Sequence, residues 1–335
     1  MRRLRAEWEE QKAVLMAFPH EATDWAREGD LQKSYAPFVR IAQALAYSQT
    51  VYILCRDKKE IADLFCSKNR MVFIETQFDD TWTRDYGPLS VDERGEPKLL
   101  DFVFDGWGGK FEASLDNAVN RTLHRLGYFG TTPMESIDFV LEGGSIDCDG
   151  AGTILTTSRC LCHPNRNGGS SRTEVEEKLR ASLGARRLLW LDHGFLAGDD
   201  TDSHIDTLAR FTDPSTIVYV RCDDPEDAHY QELRAMEEQL QSFRQADGSP
   251  YRLVPLPMAP ARYDENGRRL PATYANFLIA NRALLYPTYE SPEIDKAAGA
   301  IFTELFPERE IIPLPCSRLI TQGGSLHCST MQIYF

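Results

Sequence analysis

The 335-residue sequence has no stretch approaching the ~20 consecutive apolar residues that a membrane-spanning helix needs. It is also short of positive charge, with 37 Lys and Arg against 51 Asp and Glu and a formal net charge of −14. That balance excludes the basic footprint by which nucleic acid or an anionic membrane would be bound. It suits a cationic small molecule, although acidic surfaces mostly serve solubility. Cysteine is dilute: eight residues, at 55, 66, 148, 160, 162, 222, 316 and 328, follow no regular spacing. No disulfide framework is expected, and they are read as thiols. No linker rich in Pro, Gly or Ser divides the chain, so one domain over residues 1–335 is expected. Met1-Arg2-Arg3-Leu4-Arg5 is basic enough to open a secretion signal. However, Glu7-Trp8-Glu9-Glu10-Gln11-Lys12 follows and the next apolar run, 13–18, is short, so a cytoplasmic location is expected. A homo-oligomer is left open.

The remainder is that of an ordinary folded protein. A 42% hydrophobic and 26% charged composition rules out a disordered chain or a collagen. Strand-like runs at 51–54, 71–74, 153–157, 217–220 and 283–286 are aliphatic, β-branched or aromatic and bounded by breakers. Helical periodicity lies between them at 35–47, 117–126, 172–183 and 227–246. Alternating strands and helices predict an α/β fold. Residues 263–270 are expected to form a polar loop. Glu142-Gly143-Gly144-Ser145-Ile146-Asp147-Cys148 aligns with Gln322-Gly323-Gly324-Ser325-Leu326-His327-Cys328. With Asp85, His204 and Asn276, polar signatures recur at roughly 60-residue intervals, the spacing of repeated units closing into a ring or propeller.

Four segments can carry chemistry. Thr81-Trp82-Thr83-Arg84-Asp85-Tyr86-Gly87-Pro88 sets a carboxylate between aromatics, suited to gripping a cation; the alternative is an Arg84–Asp85 ion pair in a turn. Glu142-Gly143-Gly144-Ser145 puts a carboxylate before glycines that permit close approach, or makes a tight turn. In 198–206, a strand after Ser203 would put His204 and Asp206 on one face as an acid/base pair. Asp200, Asp202, His204 and Asp206 as metal ligands, or a plain acidic loop, are the alternatives. Finally, Cys328 follows a glycine pair and is a candidate nucleophile. Its counterpart Cys148 is disfavoured by Asp147 and Asp149 on either side, and an inert buried thiol is the alternative for either. Cys160-Leu161-Cys162-His163 is half a zinc pattern without a second half and is read as packing. The 104–111 loop can wall a pocket with Trp107, and Asn276 can cap the site by hydrogen bonding.

Taken in order, Trp-x-Arg-Asp-x-Gly-Pro, Glu-Gly-Gly, His-x-Asp and a late Gly-Gly-x-x-His-Cys resemble the agmatine deiminase and bacterial peptidylarginine deiminase family of the guanidine-modifying, or pentein, superfamily. The resemblance runs from Glu7-Trp8 to the last strand. It implies a five-bladed pseudo-symmetric β/α propeller with a central site and no metal or organic cofactor. Cys328 matches the nucleophile, His204 the general acid/base and Glu142 the acid that orients it. Asp85 and Asp206 match the carboxylates that grip a guanidinium, and Trp82 matches a pocket residue. Tyr86, Ser203 and Thr207 depart from residues common in agmatine deiminases, which leaves the substrate's tail less defined than its head. Asp202 and Trp107 suit the ammonium of agmatine; Lys110 is the candidate for the carboxylate of arginine or an arginyl peptide. Agmatine is the expected substrate, and arginine or peptidylarginine the alternative. A non-catalytic pentein-fold binding protein should lack the cysteine and the paired carboxylates, which this chain has.

Overall fold

In the computed structural model, residues 2–27 and 31–335 are described. They fold as α/β, and one unit recurs five times: two antiparallel strands, a helix, then a strand returning parallel to the second. Its clearest copy joins Ile146–Cys148 to Thr153–Thr157, crosses through the helix Arg172–Leu183 and returns as Arg187–Leu191. The next two copies use Ala209–Asp213, Thr216–Arg221 and Arg252–Pro257, then Leu278–Ile279, Ala283–Thr288 and Glu310–Pro315. A fourth pairs Leu89–Glu93, Glu96–Val103 and Met134–Val140, with Arg2–Leu4 added at the edge. The fifth is assembled from distant parts of the chain: Met331–Ile333 pairs antiparallel with Ala13–Ala17, which runs parallel to Thr50–Cys55, beside Met71–Glu75. Among the described residues no sheet closes on itself.

The middle strands are buried along their length, as at Ala13–Ala17 and Thr153–Thr157. Such strands read as continuous apolar runs because both faces are covered. The crossover helices bury one stripe: Phe38, Ile41, Ala42 and Leu45 of Leu31–Ala46, and Leu233, Met236 and Leu240 of Tyr230–Ser242. Arg172–Leu183 starts with a reciprocal Ser171/Glu174 capping box and stops at Gly184, whose φ is +74°. One expectation fails here. Residues 263–270 are not a loop but carry a hairpin, Arg262–Tyr263 with Arg269–Leu270, closed by the turn Asp264 makes with the backbone of Asn266 and Arg268. Among the described residues no helix is long and apolar enough to cross a membrane.

Candidate active site

Each connection from the outer strand of one unit to the first strand of the next delivers a polar residue to a common point. The first ends in a one-turn helix, Thr83–Tyr86, with Trp82 at its start and Asp85 inside. The second holds Glu142 and the 3₁₀ turn Gly143–Ser145, and the third holds His204 and the 3₁₀ turn Ile205–Thr207. Asn276 stands just before Leu278–Ile279, and Cys328 just before Met331–Ile333.

The strand expected after Ser203 does not form. Asp202 and Ser203 have φ values of +66° and +67°. The Asp199 carboxylate holds the bend by accepting from Thr201 N, Thr201 Oγ1 and Ser203 N. His204 and Asp206 still converge, because they meet at Gly144. A Cβ there would lie 2.7 Å from His204 Nδ1, 2.8 Å from Asp85 Oδ1 and 3.2 Å from Asp206 Oδ2. Glycine thus leaves open the space that these three side chains surround.

Asp85 is oriented through both oxygens, accepting Gly144 N at Oδ1 and Trp107 Nε1 at Oδ2, each at 2.9 Å. His204 Nδ1 is 3.6 Å from Asp85 Oδ1. The Arg84–Asp85 ion pair is absent: Arg84 turns away and donates to Gln332 Oε1 at 2.5 Å. Asp206 Oδ2 is held by His327 Nδ1 at 2.7 Å, whereas its Oδ1 has no hydrogen-bond partner. The Cys328 thiol is 3.4 Å from Asn276 Oδ1 and 3.7 Å from Asp206 Oδ2. Cys148 is elsewhere, its thiol 3.2 Å from the Arg5 carbonyl.

A cavity of about 200 Å³ opens onto this point, lined by Trp82, Asp85, Trp107 and Cys328. The Trp82 ring fits only because residue 324 is glycine, where a Cβ would come within 2.4 Å of it. The less buried lining residues form its rim: Asp24, Asp80, Asp200 and, as the cation among the described residues, Arg268, which also pairs with Asp264. Glu142, His204, Asp206 and Asn276 are fully buried behind the lining.

Five readings of the sequence are corrected here. Asp202 does not wait for an ammonium; it is closed between Arg166 Nη1 at 2.6 Å and Lys110 Nζ at 2.7 Å. Lys110 is likewise consumed, by Asp202 and the Asp200 carbonyl, so it is not a free receptor for a carboxylate. Asn276 does not face the cavity: its Oδ1 accepts from His327 N and Cys328 N, and so holds the cysteine's loop. The metal set Asp200, Asp202, His204 and Asp206 does not assemble, since Asp202 is bound to two cations and Asp206 to His327. Glu142 is near His204, but its hydrogen bond goes to Arg166 Nε at 2.6 Å. A Glu142 oxygen, a His204 nitrogen and Cys160 Sγ lie within 4.8 Å of one another, so Cys160 belongs to this cluster and not to Cys162 and His163.

Burial and like charge set the electrostatics of the empty site. Burial, then Asp206 and Glu142, raise the Asp85 carboxyl well above its ordinary range. Burial, then Asp206 and Asp85, do the same to the Cys328 thiol. Burial lowers His204 to about 3 despite the pull of Asp206, so its imidazole is neutral. Of these acids Asp206 is held below the usual range: burial is the largest influence and raises it, but the hydrogen bond and charge of His327, with His204 and Arg210, together outweigh burial. At the rim, burial pushes Asp80 up to about 7 and Asp200 up to about 6.

Arg166, His327, Glu7 and Asp80 were missed as site residues by sequence reasoning, and Asp200 was considered only as a metal ligand. His327 sits inside a quoted motif, but its partners Asp206 and Glu7 are 121 and 320 positions away, and no local pattern announces them.

The family profile described as Porphyromonas-type peptidyl-arginine deiminase matches residues 3–333. The agmatine deiminase of Pseudomonas aeruginosa (strain LESB58) is 32% identical over 98% of this chain and 95% of its own. A Porphyromonas gingivalis protein provisionally named arginine deiminase is 49% identical, covering 99% of this chain and 98% of its own, with a TM-score of 0.94. The agmatine deiminase of C. jejuni, solved as a cysteine-to-serine variant with substrate bound, is 37% identical over 100% of this chain and 97% of its own, with a TM-score of 0.93.

Proposed function

The chain belongs to the Porphyromonas-type peptidyl-arginine deiminase family and is a hydrolase of amidine C–N bonds acting through a cysteine nucleophile; from that premise we propose that its substrate is agmatine, converted to N-carbamoylputrescine and ammonia. The supporting observation is that the cavity carries acidic side chains at both ends. Asp85 and Cys328 stand at its head, and Asp80 and Asp200 at its rim. A guanidinium is a planar cation with donors in a fork. Agmatine carries a second cation, an ammonium, at its other end, which suits an acidic rim.

In this reading Asp85 and the unpartnered Oδ1 of Asp206 hold the guanidinium by charge-assisted hydrogen bonds. The incoming cation offsets the burial and the like charges that keep Cys328 protonated. The thiol proton passes to the neutral His204, and the thiolate adds to the guanidinium carbon. His204 returns that proton to the departing nitrogen, and ammonia leaves a thiouronium on Cys328. A water, giving its proton to His204, adds to the same carbon. The tetrahedral adduct then gives up its hydroxyl proton to solvent and collapses to the ureido product, expelling the thiolate, which takes back the proton held by His204. Covalent catalysis thereby divides one difficult hydrolysis into two easier steps. Glu142, fixed by Arg166, keeps a carboxylate beside His204. The five recurring units are the blades of a five-bladed β/α propeller, and residues 1–335 are one catalytic domain.

A second reading, deimination of arginine or a C-terminal arginyl residue, draws on Arg268 at the rim, which can meet a carboxylate. Ammonia release from agmatine, free arginine and a peptide ending in arginine separates the two. Agmatine should be turned over with at least tenfold the kcat/KM of the others. A preference for either carboxylate-bearing substrate would replace the first reading by the second.

A further inference from the structure

Asp206 faces two tasks with one carboxylate: one oxygen must be fixed so that the other can be aimed. The fixing comes from far away in sequence. His327 Nδ1 lies 2.7 Å from Asp206 Oδ2, and His327 Nε2 lies 2.8 Å from Glu7 Oε2. An imidazole can donate to two carboxylates only with a proton on each nitrogen. Glu7 is pinned in turn: Oε2 also accepts Arg210 Nη2 at 2.6 Å, and Oε1 accepts Ile279 N at 2.7 Å. Arg210 Nε continues to Asp147 Oδ2 at 3.2 Å. The result is a buried chain of alternating charge, Asp147–Arg210–Glu7–His327–Asp206, in which His327 is the residue before the nucleophile. Burying so many charges is costly and adds little to stability compared with apolar packing. What it does supply is a carboxylate with a fixed orientation.

We propose that His327, anchored by Glu7, is a positioning residue that keeps the Asp206 carboxylate charged and turns its free oxygen toward the guanidinium, so that the N-terminal segment is part of the active-site machinery. This rests on the reading of Asp206 as a guanidinium ligand. Besides His327, the groups bearing on Asp206 are Arg210, Arg84, His204, Asp85, Asp199 and Cys328. Losing His327 removes the cation in direct contact and leaves burial and Asp85 to raise the carboxyl's proton affinity. The reactive form has Asp206 ionised, so activity is then lost at a higher pH as pH falls.

The experiment is the pH profile of kcat/KM for agmatine from about pH 5 to pH 9 in wild type, His327→Gln, Glu7→Gln and the double variant. For His327→Gln we expect a fall of about 100-fold at neutral pH, an acid limb moved up by about one unit, and partial recovery at the alkaline end. Glu7→Gln should cost about tenfold, and the double variant should be no worse than His327→Gln within about twofold, since Glu7 acts through the same ring. An equal fall at every pH, or losses that multiply in the double variant, would overturn the proposal. Nitrogen-detected NMR of wild-type imidazoles at neutral pH gives a readout independent of any variant's folding. His327 should carry two N–H protons, and a singly protonated ring would overturn it equally. A wild type inert toward agmatine, arginine and arginyl peptide alike would instead refute the underlying reading.

Discussion

The floor of the cavity and its rim are built on opposite principles. At the floor and directly behind it, Asp85 and Cys328, then Asp206 and His204, are removed from water and come from segments far apart in the chain. The oxygens of Asp85 are already engaged by the fold, while Asp206 has one oxygen held and one unused. At the rim, Asp80 and Asp200 are half-buried, and their carboxyls are poised near neutral pH. A floor of this kind fixes what reaction is possible. In the proposed reading the rim sets which guanidine reaches it and at what pH.

The contrast can be broken most severely at the nucleophile. Cys328→Ala should lower ammonia release from agmatine by at least about 10³-fold, whereas Cys148→Ala, at the equivalent place in the repeated motif, should stay within about threefold. Comparable losses in both would mean the wrong sulfur has been chosen. Next, Gly144→Ala would place a methyl where His204, Asp85 and Asp206 converge. A fall in kcat/KM of about 100-fold is expected, with circular dichroism and thermal midpoint near wild type; unchanged kinetics would show that the substrate does not use that space. A smaller effect belongs to the rim. Asp200→Asn should raise KM for agmatine about five- to tenfold and leave kcat within about twofold, as for a partly screened ion pair. A change confined to kcat would move Asp200 from recognition to chemistry. The smallest is the pH dependence. Asp80 and Asp200 gain protons as pH falls through about 7 and about 6, so the rim loses negative charge. KM for agmatine should therefore rise a few-fold between pH 8 and pH 6, while KM for an alkylguanidine without the ammonium stays level. Parallel behaviour of the two substrates would separate the rim from the tail.

The same division explains what could be read in the sequence. The alternation of strands and helices was legible because each covered strand is a continuous apolar run and each helix keeps one stripe, as in 153–157 and 172–183. The floor residues were legible because each sits in a short motif with a glycine or Gly-Pro that the local geometry demands, Gly144 being the clearest. Partnerships were not legible. Asp202 looked available until Arg166 and Lys110 were found on either side of it, and nothing near Asp202 in the chain specifies them. His327 looked idle for the same reason. The bend at Asp202 and Ser203 escaped because non-glycine residues rarely take positive φ, and here a single carboxylate, Asp199, imposes it.

The sheet that joins Met331–Ile333 to Ala13–Ala17 has a consequence for synthesis. A ribosome delivers Ala13–Ala17 early, yet its neighbour on one side is translated only after nearly all the other strands, and such distant pairings close slowly. The sulfur at 328 is built into the chain in that same late stretch. A half-made chain is thus both incomplete in its sheet and without its reactive atom, and no growing polypeptide can begin turnover before the fold that disciplines it is in hand.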